Sequence, residues 1–230
     1  MNDTIIQAAA LIVPMVLAIV FHEVAHGLAA RALGDPTAHE MKRLSLNPLR
    51  HVDPIGTVVL PGLLALAKLP VFGWAKPVPV NNRRLRNPRR DMMLVAAAGP
   101  GMNLAMGVVG AVLLGLSMGS ASHVEELGPV MGFVALNLFN FILINIFLAL
   151  FNLLPIPPFD GSHILEGLLP DGAARAYSSL RKYGFLLVIG LIVILPQLIP
   201  GFDPVGALIG KPVSWLTGHY LDLAQAVSGH

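Results

Sequence analysis

Long apolar stretches separated by short segments rich in arginine and lysine organise this chain. Residues 5–33 are almost wholly apolar, with Pro14 inside the run and Asp35-Pro36 closing it. A helix rises about 1.5 Å per residue, so this run is long enough to cross a bilayer, and the internal proline predicts a kink. Residues 92–118 predict a second span, in which Gly99, Pro100, Gly101 and Asn103 are small or polar positions that allow close helix approach. Residues 130–154 predict a third, carrying Asn137, Asn140, Asn145 and Asn152. A shorter fourth apolar run covers 185–199, and the pattern from Pro200 to Ala226 does not define a path. Residues 54–72 differ from all of these. They are apolar but broken by Pro54, Gly56, Pro61, Gly62 and Pro70, with Lys68 inside. Irregular backbone at membrane depth is tolerated where protein or a water-filled cavity covers it, which predicts a re-entrant segment. The flanking stretches 41–46 and 75–80 are expected to form short β-strands.

Composition turns this pattern into a class. Of 230 residues, 55% are hydrophobic and 12% charged, against about 25% charged in ordinary soluble domains. The expected fold is an all-α multi-pass membrane protein. Its core is three transmembrane helices, joined by the re-entrant segment with its short strands and by C-terminal helices. Cysteine is absent, which excludes disulfides, thiolate metal sites and cysteine nucleophiles. The N-terminus, Met1-Asn2-Asp3, has no basic region before its apolar run, so a cleaved signal peptide is not expected.

Charge gives an orientation. Arg31, Lys42, Arg43 and Arg50 follow the first span; Lys76, Arg83, Arg84, Arg86, Arg89 and Arg90 precede the second; Arg175, Arg181 and Lys182 follow the third. The loop 119–129 has neither Lys nor Arg and carries Glu125 and Glu126. The positive-inside rule puts the basic segments in the cytoplasm and the N-terminus outside, as expected of a cell (inner) membrane protein. This holds only if 54–72 enters and leaves on one face. The basic residues lack interleaved aromatics, so no nucleic-acid partner is expected.

Candidate chemistry lies on the first span, in Phe21-His22-Glu23-Val24-Ala25-His26-Gly27. His22 and His26 are four residues apart, so a helix presents both imidazoles on one face to one metal ion. Glu23 stands beside them, where it can take a proton from a metal-activated water. Such a trio is costly in hydrocarbon and is expected to be functional. A catalytic metal site commonly has three protein ligands. The third span runs toward the side where His22 lies and ends in Asn152-Leu153-Leu154-Pro155-Ile156-Pro157-Pro158-Phe159-Asp160-Gly161. Asp160 is the candidate third ligand, although by spacing alone an Asp-Gly turn is an equal rival. Asn152 is a candidate hydrogen-bond donor to a substrate carbonyl or oxyanion, with helix-end capping as its alternative. Asn103 could do the same or support the site, with helix packing at least as good a reading. His51, Asp53 and His163 lie close enough in sequence to gate the site or bind substrate, but the simpler reading for each is a satisfied interfacial residue. His39, His123, His219 and His230 show no metal-like spacing.

Together, Phe21 to Gly27 and Asn152 to Gly161 resemble the two signatures of the site-two protease family of intramembrane zinc metalloproteases. Supporting matches are Ser45-Leu46-Asn47-Pro48 with Asp53-Pro54-Ile55-Gly56, the run Gly73-Trp74-Ala75-Lys76-Pro77-Val78, and Ala98-Gly99-Pro100-Gly101-Met102-Asn103. The resemblance covers about residues 20–165. It implies one zinc ion per chain on His22, His26 and Asp160, Glu23 as general base, and hydrolysis of peptide bonds in the spans of single-pass membrane proteins. It also implies that the re-entrant segment holds an unwound substrate by edge pairing. Family members often carry a further helix and a PDZ or CBS domain. This chain resembles a minimal form, a single domain of residues 1–230 with a core over about 5–165 and C-terminal membrane segments over about 181–226. The expected partners are such substrates and the bilayer. A membrane metal transporter and a catalytically silent scaffold of the same fold are the alternatives.

Overall fold

The computed structural model describes residues 2–67, 73–119 and 127–229. Helices dominate: α1 (Asn2–Ala32), α2 (Pro88–Met118), α3 (Pro129–Asn152), the short α4 (Asp160–Leu168), a segmented run α5 (Asp171–Leu198) and α6 (Pro204–Ser228). Four of these hold stretches long and apolar enough to cross a membrane: Ala9–Ala32, Pro88–Met118, Pro129–Asn152 and Asp171–Leu198. The chain is a multi-pass membrane protein by this measure. The fourth stretch starts well before the expected residue 185. In its polar first half Arg89 pairs with Asp171 and Arg181 with Glu166, tying that half to α2 and α4.

Helices α1, α2 and α3 pack against one another, and α6 closes over α2 and α3. Small residues permit the approach. A Cβ at Gly107 would come within 2.6 Å of the Tyr220 ring, and one at Gly115 within 2.3 Å of the Ala224 carbonyl. These contacts follow the same order along both helices, so α6 runs parallel to α2. Residues 204–228, whose path the hydropathy pattern left open, thus complete the apolar core around Ile142 and Ile146.

The asparagines of α3 serve the backbone. Pro14 has no N–H to give to the carbonyl four residues back, which leaves Ala10 O without its helical donor. Asn140 Nδ2 donates to that carbonyl at 3.1 Å. A proline in an apolar helix is tolerated when a neighbouring helix supplies the missing donor. Asn137 instead bonds the carbonyl of Phe133 in its own helix.

Between α1 and α2 the chain leaves and comes back to one place. Asp53 caps a π-helical turn (Pro54–Val59), accepting from Ile55 N at 3.0 Å and Gly56 N at 2.7 Å, and a short helix (Leu60–Leu66) follows. On return, Trp74 N–H donates to Gly56 O at 3.1 Å and Lys76 N–H to His51 O at 2.8 Å. Gly73 is required here, because a Cβ would fall 2.2 Å from Gly56 O. Lys68, Pro70 and Phe72 lie outside the described residues, as do Glu125, Glu126, His123 and His230.

The expected β-strands are not formed: no strand occurs among the described residues. In 41–46, Lys42 adopts φ 55°, a left-handed conformation that breaks an extended run. In 75–80, Pro77 and Pro79 lack the N–H groups that a ladder needs. That stretch lies against α1 as a strap, with Val78 beside Glu23 and Gly27.

Candidate metal centre

Three helices build the site. His22 and His26 stand one turn apart on α1, and Asp160 opens α4, after the proline-rich turn that ends α3. Their metal-binding atoms converge. His22 Nε2 and His26 Nε2 are 3.0 Å apart, and Asp160 Oδ2 lies 3.2 Å from the first and 3.3 Å from the second. Both histidines are buried.

Helix α2 decides which ring nitrogens face the centre. His26 Nδ1 is 2.7 Å from Val95 O, a carbonyl that can only accept, so Nδ1 carries the proton. His22 Nδ1 is 2.6 Å from Asn103 Oδ1. The Asn103 amide is oriented by its own donations, at 3.1 Å to Ala18 O and at 2.8 Å to Asn145 Oδ1. Asn145 in turn donates to Phe141 O at 2.8 Å. Each Nε2 therefore directs a lone pair into the space shared with Asp160. Asp160 turns its carboxylate toward the same space. Its Oδ2 is buried without a hydrogen-bond donor.

Three electron-rich atoms facing one another repel unless a cation lies between them. Ligands about 2.0–2.1 Å from a tetrahedral zinc ion stand about 3.3 Å from each other, close to the separations here. The donor set therefore fits zinc. Among the described residues, this is the group of three such side chains able to hold a metal.

Two glycines let the helices close on this centre. A Cβ at Gly161 would lie 2.2 Å from Leu153 O. A Cβ at Gly99 would lie 2.4 Å from His26 Nε2 and 2.6 Å from His22 Cε1. Gly99→Ala is expected to displace both imidazoles and weaken zinc binding about 10–100-fold, the scale of losing an orienting partner. Overpacking against two buried rings costs about 1–3 kcal/mol, more than the helix gains from alanine, so Tm of the metal-free protein should fall as well. Metal content and thermal melting of the purified variant measure the two effects separately.

The structure sorts the other candidates. Glu23 is beside the centre, and its Oε2 accepts a hydrogen bond from Val78 N at 2.7 Å. Asn103 is fully buried and bonds to His22, so it orients a ligand. Asn152 donates to Leu148 O in its own helix at 2.9 Å, and the structure does not bring its amide into the centre's hydrogen bonds. His51 bonds to Ser45 O at 2.8 Å and Asp53 is a cap, both local structural roles. His163 accepts from Arg181 at 3.0 Å, and burial, aided by Arg181, holds its imidazole down at about 4, neutral near pH 7. Sequence reasoning missed Asn145 as a support for Asn103, the Val95 carbonyl, the Gly99 contact and the Val78 amide.

The sequence model of peptidase family M50 matches residues 10–196. The chain is 38% identical over 183 residues to "Putative zinc metalloprotease YwhC" of Bacillus subtilis (strain 168), covering 80% of each chain. It is 29% identical over 182 residues to "Putative zinc metalloprotease Rip2" of Mycolicibacterium smegmatis, covering 77% of this chain and 64% of that protein. No solved structure matches the chain.

Proposed function

Because the chain belongs to peptidase family M50, the site-two protease family, we propose that it is an intramembrane zinc endopeptidase that hydrolyses peptide bonds within the spans of single-pass membrane proteins. The observation that carries this reading is the convergence of two imidazole nitrogens and a carboxylate oxygen at 3.0–3.3 Å, with Glu23 on the adjoining helical position.

Zinc held by His22, His26 and Asp160 would supply Lewis acidity and an attacking water ionisable near neutral pH. Glu23 would be the group to accept a proton from the attacking water and to return it to the departing amine. Asn103 and the Val95 carbonyl keep both Nδ1 atoms protonated, so both Nε2 atoms stay available. The Asn152 amide would have to leave Leu148 O before it could reach a substrate carbonyl.

Orientation follows from charge: the three basic segments lie in the cytoplasm, the N-terminus outside and the centre toward the cytoplasmic face of the inner membrane. The transporter alternative needs further ligands on several spans, and the described residues offer one such group.

The test uses proteoliposomes holding the zinc-loaded chain and a single-pass reporter with a helix-weakening residue in its span. Mass spectrometry is expected to find product ends inside the span, and chelation should stop their formation. Cleavage confined to water-exposed parts of the reporter would overturn the intramembrane reading.

A further inference from the structure

The strap over residues 73–81 is pinned on both sides of the site. Lys76 N–H donates to His51 O, and Arg43 Nη2 donates to the carbonyls of Lys76 at 3.0 Å and Pro77 at 3.3 Å. Beyond the site, Asn81 N–H donates to Asp35 Oδ2 at 2.5 Å. Asp35 is buried, and although burial opposes its ionisation, hydrogen bonds from Thr37 and Asn81 with Arg84 nearby hold its carboxyl below the ordinary range. The second anchor is thus a charged acceptor.

Between the anchors lies Pro77-Val78-Pro79. Proline has no N–H, so Val78 supplies the one main-chain donor of this tripeptide. That donor reaches Glu23 Oε2 at 2.7 Å. The Val78 side chain is buried against Gly27, one turn along α1 from Glu23, where a Cβ would come within 2.8 Å of it. The strap therefore cannot slide along α1 without losing both its packing against Gly27 and its hydrogen bond to Glu23.

We propose that the Val78 amide is the positioning group for Glu23: it holds Oε2, fixes the carboxylate rotation and leaves Oε1 to face the attacking water. This rests on the reading of Glu23 as the general base. Prolines on both sides and anchors at Arg43 and Asp35 hold the donor itself in place. A base must sit within hydrogen-bond reach of the proton it takes, and a misplacement of about 1 Å can cost about 100-fold.

The experiment compares zinc-loaded full-length variants on the single-pass reporter in proteoliposomes. Val78→Pro deletes the donor and keeps an extended backbone, whereas Val78→Ala keeps the donor. Val78→Pro is expected to lower kcat about 10–100-fold with KM within about twofold and zinc content unchanged. Val78→Ala should stay within about threefold of wild type, since it preserves the geometry that matters. Wild-type kcat in Val78→Pro overturns the proposal. A raised kcat does too, because it would make the strap a cover over the base. A change confined to KM, or an equal fall in Val78→Ala, would assign the effect to substrate contact or to side-chain packing. Should Val78→Pro fail to fold, Arg43→Gln loosens the carbonyl before the donor, and an unchanged kcat there overturns the proposal equally. Glu23→Gln, run alongside, separates the two failures. If it stays active, the assignment of the base is wrong. If it is inactive while Val78→Pro matches wild type, only the positioning role falls.

Discussion

Glu23→Gln is expected to abolish reporter cleavage while zinc content and Tm remain those of the wild type. A carboxamide has the shape of a carboxylate but cannot accept the proton of the attacking water at neutral pH. The side-chain oxygen of glutamine can still accept from Val78 N, so the 2.7 Å contact and the seating of the strap survive. None of the metal-binding atoms is altered, so the ion stays. The loss is therefore chemical and amounts to at least the about 10²–10⁴-fold contributed by a positioned base. Measured kcat of the purified variant checks this, with metal analysis on the same sample. Cleavage within tenfold of wild type at full zinc occupancy would assign the proton transfer to another group.

The same residue shows what the sequence carries and what it leaves out. Spacing alone put His22 and His26 on one face with Glu23 between them, because a helix repeats nearly every four residues whatever surrounds it. Topology brought Asp160 to their side, since a span ending near the first one's inner end leaves the turn that follows it few other places to go. Pro and Gly content marked 54–72 as a segment that returns, and the hydrogen bonds of Trp74 and Lys76 close that return. Groups that act through the main chain left no trace. Any residue at 95 offers a carbonyl and any but proline at 78 offers an amide, so neither Val95 nor Val78 could be singled out. Asn145 was visible as a polar residue in a span, but its pairing with Asn103 depends on the rotation of two helices that local periodicity does not set. The strands were expected as short stretches on either side of the re-entrant segment. The missing donors of Pro77 and Pro79 and the left-handed turn at Lys42 prevent them.

Asp160→Ala is expected to remove zinc and activity together, unlike Glu23→Gln. Without the carboxylate, two neutral imidazoles remain with their Nε2 atoms 3.0 Å apart. Two ligands do not complete a site that uses three. Loss of a partner that only orients a ligand already weakens metal binding about 10–100-fold, so loss of the ligand itself should exceed about 100-fold. Purified wild type is expected to retain zinc through dialysis and the variant to lose it. Melting provides an independent readout. A ligand that binds the folded state alone raises stability with its concentration, so added zinc should raise Tm of the stripped wild type and leave that of Asp160→Ala unchanged. Asp160 also sits in the first turn of α4, where a negative charge contributes about 0.3–1 kcal/mol against the helix dipole. The variant should thus start slightly below wild type even without metal, and only the zinc-dependent increment tests ligation. An equal increment in both proteins would remove Asp160 from the ligand set and leave the imidazole pair in need of a different third donor.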